Sequence, residues 1–196
     1  MLGVVIQNNL KWTAQVEKLC SKLKQRLLGL EKLRSIMSKS SRSSIIQGVF
    51  QSVLCYCLPL FGGCSQTEMN MLQTLQNRAA RIALNFPARS NRDVMFSKLG
   101  WMTVRQLVAY HTLMTIFKVR VTSSPEYLSR ILKRENHNGQ IIMKNVLLQL
   151  YRSSFVFRGA VLWNQIPRSL REDDCEKSFK LGAREWVLNN VNRFNL

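Results

Sequence analysis

Residues 13–37 read TAQVEKLCSKLKQRLLGLEKLRSIM and carry the clearest helical pattern in the chain. Their apolar side chains recur three or four residues apart, and Thr13 is a residue type that caps helices. At about 100° per residue, the positions opposite this apolar line form one strip. The apolar line is Val16, Leu19, Cys20, Leu23, Leu27 and Leu30, and the opposite strip, which we call the lysine ridge, is Lys18, Lys22, Gln25, Gly29 and Lys32. The pattern predicts a helix with one buried face and one basic face.

Two more helices are predicted directly downstream. Ser40 or Ser41 caps a second apolar helix that ends near Pro59. Ser65, with a glutamate three residues later, has the spacing of a capping box that opens a third helix. Three successive helices predict a small bundle over residues 13–97, and the fold class is predicted to be mainly α.

The flanking segments have weaker patterns. Residues 2–6 are apolar and β-branched and precede a turn, which indicates a short edge strand without a partner strand in the chain. After residue 97, shorter helices are predicted up to a terminal helix that Asp174 caps, with a polar linker over residues 133–145.

The charge of the chain indicates the class of its partner. A length of 196 residues excludes a large multidomain enzyme. The 29 lysines and arginines outnumber the 11 aspartates and glutamates, so the net charge is +18, far more than solubility requires. A hydrophobic fraction of 46% excludes a disordered basic tail. A folded protein with this charge is expected to bind a polyanion, and nucleic acid is the first to consider.

The positive charge of the lysine ridge favours phosphate binding. Lys18 and Lys22 lie four residues apart, where like charges cost about 0.2 to 0.5 kcal/mol in an isolated helix, and bound phosphates would relieve that cost. Gly29 costs roughly 1 kcal/mol relative to alanine, yet it lets a sugar-phosphate backbone approach closely. The predicted nucleic-acid-binding residues are Lys18, Lys22, Gly29 and Lys32, with Arg78 and Arg81 of the third helix extending the same field. The alternative is a solvated lysine-rich face with an incidental glycine.

Residues suited to catalysis or metal binding are sparse. Metal-dependent phosphoryl transfer needs convergent carboxylates, and the one adjacent pair, Asp173-Asp174, is better explained as a helix cap. Cys55, Cys57 and Cys64 lack a nearby fourth ligand, and His111 lies on the apolar line of its helix. We therefore predict no cofactor, no metal site, and reduced, buried cysteines in an intracellular protein.

Several stretches resemble the reverse transcriptases of LINE-type (non-LTR) retrotransposons. The stretches similar to that family's thumb are Leu2-Gly3-Val4 with Leu10-Lys11-Trp12, residues 56–63, and Leu75-Gln76-Asn77-Arg78-Ala79-Ala80-Arg81. The most specific stretch is Ser154-Phe-Val-Phe-Arg158-Gly159-Ala160-Val-Leu-Trp163-Asn164-Gln-Ile-Pro167, which resembles a signature near the C-termini of Jockey-like elements. Its motif residues are Arg158, Gly159, Trp163, Asn164 and Pro167, and we predict that they form a tight turn with a buried Trp163.

The resemblance implies three parts: residues 1–12 as the remnant of a strand that leads from the palm, residues 13–97 as the thumb, and residues 98–196 as a helical C-terminal extension. The family's polymerase aspartates, with their Mg²⁺, and its endonuclease lie upstream of such a fragment, so this chain alone is not expected to be an enzyme. The implied partners are RNA, the RNA–DNA duplex, and the palm and fingers of the parent polymerase, in the nucleus and in cytoplasmic ribonucleoprotein. Gln7 and Gln15 stand where many relatives have Asp and His.

Two other interpretations stay open. In the first, the chain is a decayed retroelement remnant whose basic surface binds RNA or DNA nonspecifically or has no activity. In the second, it is a small membrane protein, because residues 45–64 lack charge and are long enough to cross a bilayer. Gln47, Gln51 and Pro59 interrupt that apolar run, so a helix buried in the bundle, with no membrane partner, is preferred.

Overall fold

The computed structural model describes residues 3–143 and 148–190, and most of these residues are helical. The predicted mainly α fold class is confirmed. The contacts divide the chain into two units, Met1–Val104 and Arg105–Leu196. Within the described ranges, β pairing is limited to one isolated antiparallel bridge between Glu135 and Ile141.

The helices of the first unit are short except for two, α1 and α5. The bounds are α1 (Thr13–Lys32), α2 (Lys39–Ile46), α3 (Ser52–Cys55), α4 (Leu58–Phe61), α5 (Gln66–Leu84) and α6 (Arg92–Leu99), with a π-helical segment, Gln47–Gln51, between α2 and α3. The helices that follow are α7 (Val104–Thr122), α8 (Glu126–Leu132), α9 (Gln149–Arg152), α10 (Phe155–Gln165), α11 (Arg168–Arg171) and α12 (Glu176–Asn190).

The core of the first unit is the apolar face of α1 packed on α5. α2 also packs on α5, and the π-helical segment and α3 pack on α1. All six apolar residues of the α1 line are buried, as predicted. The other helices add buried side chains that include Ile46, Phe50, Leu54, Met69, Leu72, Leu75 and Ala79. The three successive helical stretches therefore share one core.

The ends of these helices are set by local caps. Ser65 and Glu68 form the predicted capping box, in which each side chain accepts the backbone N–H of the other residue. The predicted cap of the terminal helix, Asp174, lies two residues before α12, which begins at Glu176. Two further predicted caps are wrong. Thr13 is the first helical residue of α1 and does not cap it, and Ser38, not either of the two predicted serines, caps α2 by accepting the Ser41 N–H. A cap has to be the extended residue before the helix, and Ser38 has a ψ of 159°.

The second helical stretch is interrupted, whereas the sequence predicts one continuous helix. The π-helical segment changes the hydrogen-bond register, and two side chains bond carbonyl groups there. The Arg26 guanidinium donates to the Val49 carbonyl, and the Ser52 hydroxyl donates to the Gly48 carbonyl. Because Arg26 comes from α1, its contact with the Val49 carbonyl is tertiary and leaves no periodic signal in the sequence.

The apolar run over residues 45–64 is divided among several short elements. α3 ends at Cys55, Cys57 adopts a left-handed backbone conformation with φ of 54°, and α4 follows with Pro59 in its first turn. In the part of the chain that the structure describes, no helix is long and apolar enough to cross a bilayer.

The predicted remnant strand is not confirmed. Residues 3–12 form no strand, and residues 1 and 2 lie outside the described ranges. Hydrogen bonds to two glutamine side chains, and not to a partner strand, hold residues 3–12 in place. The Gln15 Oε1 accepts the Val5 N–H at 2.8 Å, and the Gln7 Oε1 accepts the Ala14 N–H at 3.1 Å. The segment therefore docks on the first turn of α1 through side-chain acceptors.

The boundary between the units lies after Val104, whereas the sequence places it after residue 97. α6 continues to Leu99, and the segment after it is tied back to α5. The buried Gln76 amide donates to the Met102 carbonyl at 2.9 Å, and the Gln73 side-chain oxygen accepts the Val104 N–H at 2.9 Å. Residues 98–104 therefore lie in the first unit.

The second unit is built around an aromatic stack. Phe179 of α12 stacks on Phe117 of α7, with ring centroids 4.3 Å apart, and on Trp163 of α10 at 5.7 Å. Trp163 and Phe179 have no exposed surface. The Arg120 guanidinium lies 4.7 Å from the centroid of the Trp163 ring and is paired with Glu135. The stack joins α7, α10 and α12 in one core.

Candidate nucleic-acid interface

The lysine ridge lies on the solvent side of α1. Lys18, Lys22, Gln25, Gly29 and Lys32 are all exposed, and the apolar line on the opposite face is buried. From the first to the last of these positions the ridge extends roughly 21 Å at about 1.5 Å per residue. The helix thus presents a continuous strip that carries three ammonium groups and one position without a side chain.

The three ridge lysines keep their charge available. Among the described residues, no ion pair involves Lys18, Lys22 or Lys32. Lys18 Nζ lies 3.4 Å from the Gly3 carbonyl oxygen, which is a long contact to a neutral group. The carboxylate of Glu31, on the same helix, is engaged by an arginine of α5. The ridge therefore offers positive charge that no described carboxylate neutralises.

Gly29 has open space around it. A Cβ atom built at this position would meet no heavy atom within 4 Å outside its own stretch of helix. Packing inside the protein therefore does not require glycine here. Glycine in a helix interior costs roughly 1 kcal/mol relative to alanine, and close packing does not explain why Gly29 is present.

Arg78 is paired with a carboxylate of α1, and its predicted contact with nucleic acid stays a prediction. Its Nε and one terminal nitrogen donate to the two carboxylate oxygens of Glu31 at 2.9 and 2.6 Å. The hydrogen bond from Arg78 holds the pKa of the Glu31 carboxyl below its usual range. This bidentate pair ties α5 to α1 and neutralises the guanidinium charge locally. Sequence reasoning missed it because the two residues are far apart in the chain.

Arg81 is also engaged within the protein. It is half-buried, and one of its terminal nitrogens donates to the Ala88 carbonyl at 3.1 Å. Its own carbonyl accepts the Phe86 N–H at 3.0 Å, just beyond the left-handed Asn85 that ends α5. Arg81 therefore contacts the loop after α5, and its charge is not neutralised by this neutral acceptor.

The Arg158–Pro167 motif forms structure instead of an exposed site. The prediction that Trp163 is buried is confirmed, but the predicted tight turn is wrong, because Arg158 to Asn164 lie within α10. The Trp163 indole donates to the Gly139 carbonyl at 3.2 Å. The Asn164 amide accepts the Ile141 N–H at 2.8 Å and donates to the Ile141 carbonyl at 3.0 Å.

The remaining motif residues fit the same structural role. Arg158 is buried and its Nε donates to the Ser153 carbonyl at 3.0 Å. A Cβ atom at Gly159 would lie 2.9 Å from the Ile116 Cδ1 of α7, so a larger residue here would displace the end of the Ile116 side chain. Pro167 precedes α11 in an extended conformation. The motif therefore fastens α10 to α7 and to the 136–141 loop.

A groove beside the ridge contains residues that the sequence patterns did not single out. It has a volume of about 340 Å³, and its lining includes Lys18 and Lys22 from α1 and Ser52, Val53 and Tyr56 from α3 and its end. The path of the chain after the π-helical segment brings these α3 side chains beside the ridge. A helical-wheel pattern drawn for one helix at a time cannot reveal such a groove.

The cysteines and histidines do not assemble into a reactive centre in the described part of the chain. No group of three or more His, Cys, Asp or Glu residues there lies close enough to hold a metal ion. The prediction of buried cysteines is correct for Cys20 and wrong for the others, because Cys55, Cys57 and Cys64 are half-buried and Cys175 is exposed. Burial raises the pKa of the Cys55 thiol to about 11, so this thiol is protonated at neutral pH. Burial likewise lowers the pKa of the half-buried His111.

Comparison of the chain with protein-family models, with curated proteins and with solved structures gave no match. The exposed face of α1 and its surroundings are therefore the basis of the functional proposal.

Proposed function

We propose that this chain binds RNA and RNA–DNA duplexes through contacts between the lysine ridge and the sugar-phosphate backbone. The observation that supports the proposal is the set of three exposed ammonium groups at Lys18, Lys22 and Lys32, which form no ion pair with a described carboxylate, on a helix whose opposite face is buried. A net charge of +18 attracts polyanions to the chain in general. The lysine ridge is the surface where we expect the phosphates to make contact. Contacts of this kind are independent of sequence.

In the larger assembly, we propose that the chain is the thumb and C-terminal region of a LINE-type reverse transcriptase. It would grip the template with the growing DNA strand, while the chemistry and its Mg²⁺ belong to aspartates on the parent's palm. The resemblance of the motif stretches supports this role, together with the three-helix core of the first unit. The palm and fingers are the protein partners under this proposal, in the nucleus and in cytoplasmic ribonucleoprotein.

Replacing Lys18, Lys22 and Lys32 together with glutamine is expected to reduce the salt dependence of duplex binding. Each phosphate contact contributes roughly 0.9 to the slope of log affinity against log salt concentration, so the slope should fall by about 2 to 3. The measurement is a titration of a 20-base-pair RNA–DNA duplex, followed by fluorescence anisotropy at several salt concentrations. Thermal unfolding of the variant should match that of the parent chain, because exposed substitutions change stability by less than about 0.5 kcal/mol.

The matched control removes the same charge elsewhere. Lys98, Lys177 and Lys180 are exposed and lie outside the ridge, so their joint change to glutamine lowers the net charge equally. This control should lose less of the slope than the ridge variant. If both variants lose the same amount, binding is spread over the surface and the ridge assignment is wrong. If the parent chain does not bind the duplex at low salt, the interpretation as an inactive remnant is favoured.

The substitution Gly29→Ala distinguishes an effect on helix stability from an effect on how closely a sugar-phosphate backbone can approach α1. Since the added Cβ meets nothing in the protein, alanine should raise the free energy of unfolding by about 0.5 to 1 kcal/mol. A sugar-phosphate backbone that passes close to Gly29 would meet the new methyl group, so duplex affinity should decrease although the fold is more stable. Denaturant unfolding and anisotropy on the same sample measure the two effects. Equal or tighter binding by the more stable variant would contradict close approach at Gly29.

A further inference from the structure

The groove beside the lysine ridge combines positive charge with an aromatic surface. Lys18 and Lys22 form part of its lining on the α1 side, and Tyr56 forms part of it at the end of α3. None of the described residues that line the groove is acidic. Its volume of about 340 Å³ falls within the range of roughly 300 to 1,000 Å³ that is typical of small-molecule sites. The chemistry of the lining therefore fits an anionic ligand with a flat apolar part.

Tyr56 lines the groove and keeps about half of its surface exposed. The residue is 48% exposed, although it follows directly on the buried Leu54 and the half-buried Cys55. Its backbone is extended, with ψ of 118°, and the next residue, Cys57, adopts a left-handed conformation. A left-handed backbone is uncommon for any residue except glycine and costs free energy that the surrounding packing must offset. The helix α3 therefore ends at Tyr56, the aromatic residue that lines the groove.

We propose that the groove holds one unpaired nucleotide of an RNA strand that runs along the lysine ridge. The base would stack on the Tyr56 ring, and the phosphates on either side would lie near the ammonium groups of Lys18 and Lys22. This inference rests on the proposed function and adds a preference to it, because a base in a duplex is already stacked on its neighbours and is not available to a side chain. The site would favour a single-stranded segment or an end over continuous duplex.

The physical basis is the combination used by proteins that bind single strands. A positive strip follows the backbone, and aromatic side chains stack on bases without reading their identity. Stacking of one base on an aromatic side chain is worth about 5-fold or more in affinity by alanine substitution. Phosphates at Lys18 and Lys22 would also relieve the repulsion between two like charges one helical turn apart.

Tyr56→Ala and Tyr56→Phe test the inference with two probes, a 12-nucleotide single-stranded RNA and the blunt 20-base-pair RNA–DNA duplex. We expect Tyr56→Ala to weaken binding of the single strand by about 5-fold or more and to change duplex binding by less than about 2-fold. Tyr56→Phe keeps the ring and should preserve both affinities. The proposal is overturned if Tyr56→Ala leaves single-strand affinity unchanged, or if it weakens both probes equally.

A direct readout on the unaltered chain covers the case in which Tyr56→Ala does not fold. A single-stranded RNA that carries 5-iodouridine forms photochemical crosslinks to aromatic rings stacked on the base, and mass spectrometry identifies the residue. Crosslinking at Tyr56 supports the proposal, and efficient crosslinking only at other residues contradicts it. The test of the lysine ridge has a separate outcome. If the triple glutamine variant lowers the salt slope, but Tyr56 does not crosslink and Tyr56→Ala does not change single-strand affinity, only the groove assignment is wrong.

Discussion

Replacing Trp163 with alanine is expected to lower the free energy of unfolding of the second unit by about 3 to 5 kcal/mol. The side chain has no exposed surface, and its loss leaves a cavity between α7, α10 and α12. The substitution also removes the stack on Phe179, the indole hydrogen bond to the Gly139 carbonyl, and the surface on which the Arg120 guanidinium lies. Domain stabilities are about 5 to 15 kcal/mol, so this single change removes a large part of the total.

Denaturant unfolding followed by far-ultraviolet circular dichroism measures the loss. The matched control is Tyr127→Ala, because Tyr127 is an aromatic residue of the same unit that is 68% exposed, and its removal should change stability by less than about 0.5 kcal/mol. A loss below about 1.5 kcal/mol for Trp163→Ala would mean that the aromatic stack is not the core of this unit. It would also reopen the possibility that the motif around Trp163 serves binding instead of folding.

The elements that the sequence predicts well are those determined by neighbours within the same helix. The buried face of α1 follows from apolar residues three and four positions apart, and the start of α5 follows from a capping box that spans only Ser65 to Glu68. The exposure of the ridge lysines follows from the same periodicity, because a helix that buries one face must present the other. These parts of the fold and of the candidate site need no knowledge of distant contacts.

The features that the sequence misses depend on pairs far apart in the chain. A carbonyl of the π-helical segment accepts a hydrogen bond from Arg26 of α1. The segment before Val104 is tied to α5 by the buried Gln76 amide, which donates to the Met102 carbonyl. Arg78 is predicted to bind phosphate because it points away from the apolar line of its helix, and Glu31 of α1 lies against it in the fold. A helical pattern gives the direction of a side chain but not what lies opposite it. The partners of charged side chains on α5 therefore cannot be predicted from its helical pattern alone.

The contacts of the motif around Trp163 also cannot be predicted from the sequence. Its residue types are distinctive enough to carry a resemblance, and the burial of a tryptophan is expected from its size. What the residues contact could not be read from the sequence, since Gly159 faces α7 and Asn164 bonds a loop more than twenty residues upstream. A distinctive motif can thus consist of residues that pack in a core. Only the exposed fraction of its side chains shows whether it can contact a partner.

Replacing Leu23 with alanine tests whether the two faces of α1 have separate roles. Leu23 is fully buried in the core of the first unit, so the free energy of unfolding should fall by about 2 to 5 kcal/mol through lost burial and a residual cavity. The ridge itself would be unchanged. At temperatures where the variant remains folded, the salt dependence of duplex binding should therefore equal that of the parent chain.

The neighbouring substitution Lys22→Ala should give the opposite result. Lys22 is exposed on the adjacent position of the helix, so its loss should change stability by less than about 0.5 kcal/mol while lowering the salt slope by about 1. Thermal unfolding and salt titration on both variants would thus separate packing from phosphate contact within one helix. If Lys22→Ala destabilised the fold as much as Leu23→Ala, or if Leu23→Ala alone changed the salt slope, the division of α1 into a core face and a binding face would be wrong. The physical basis of that division is geometric, because residues one position apart on a helix point about 100° apart and meet different surroundings.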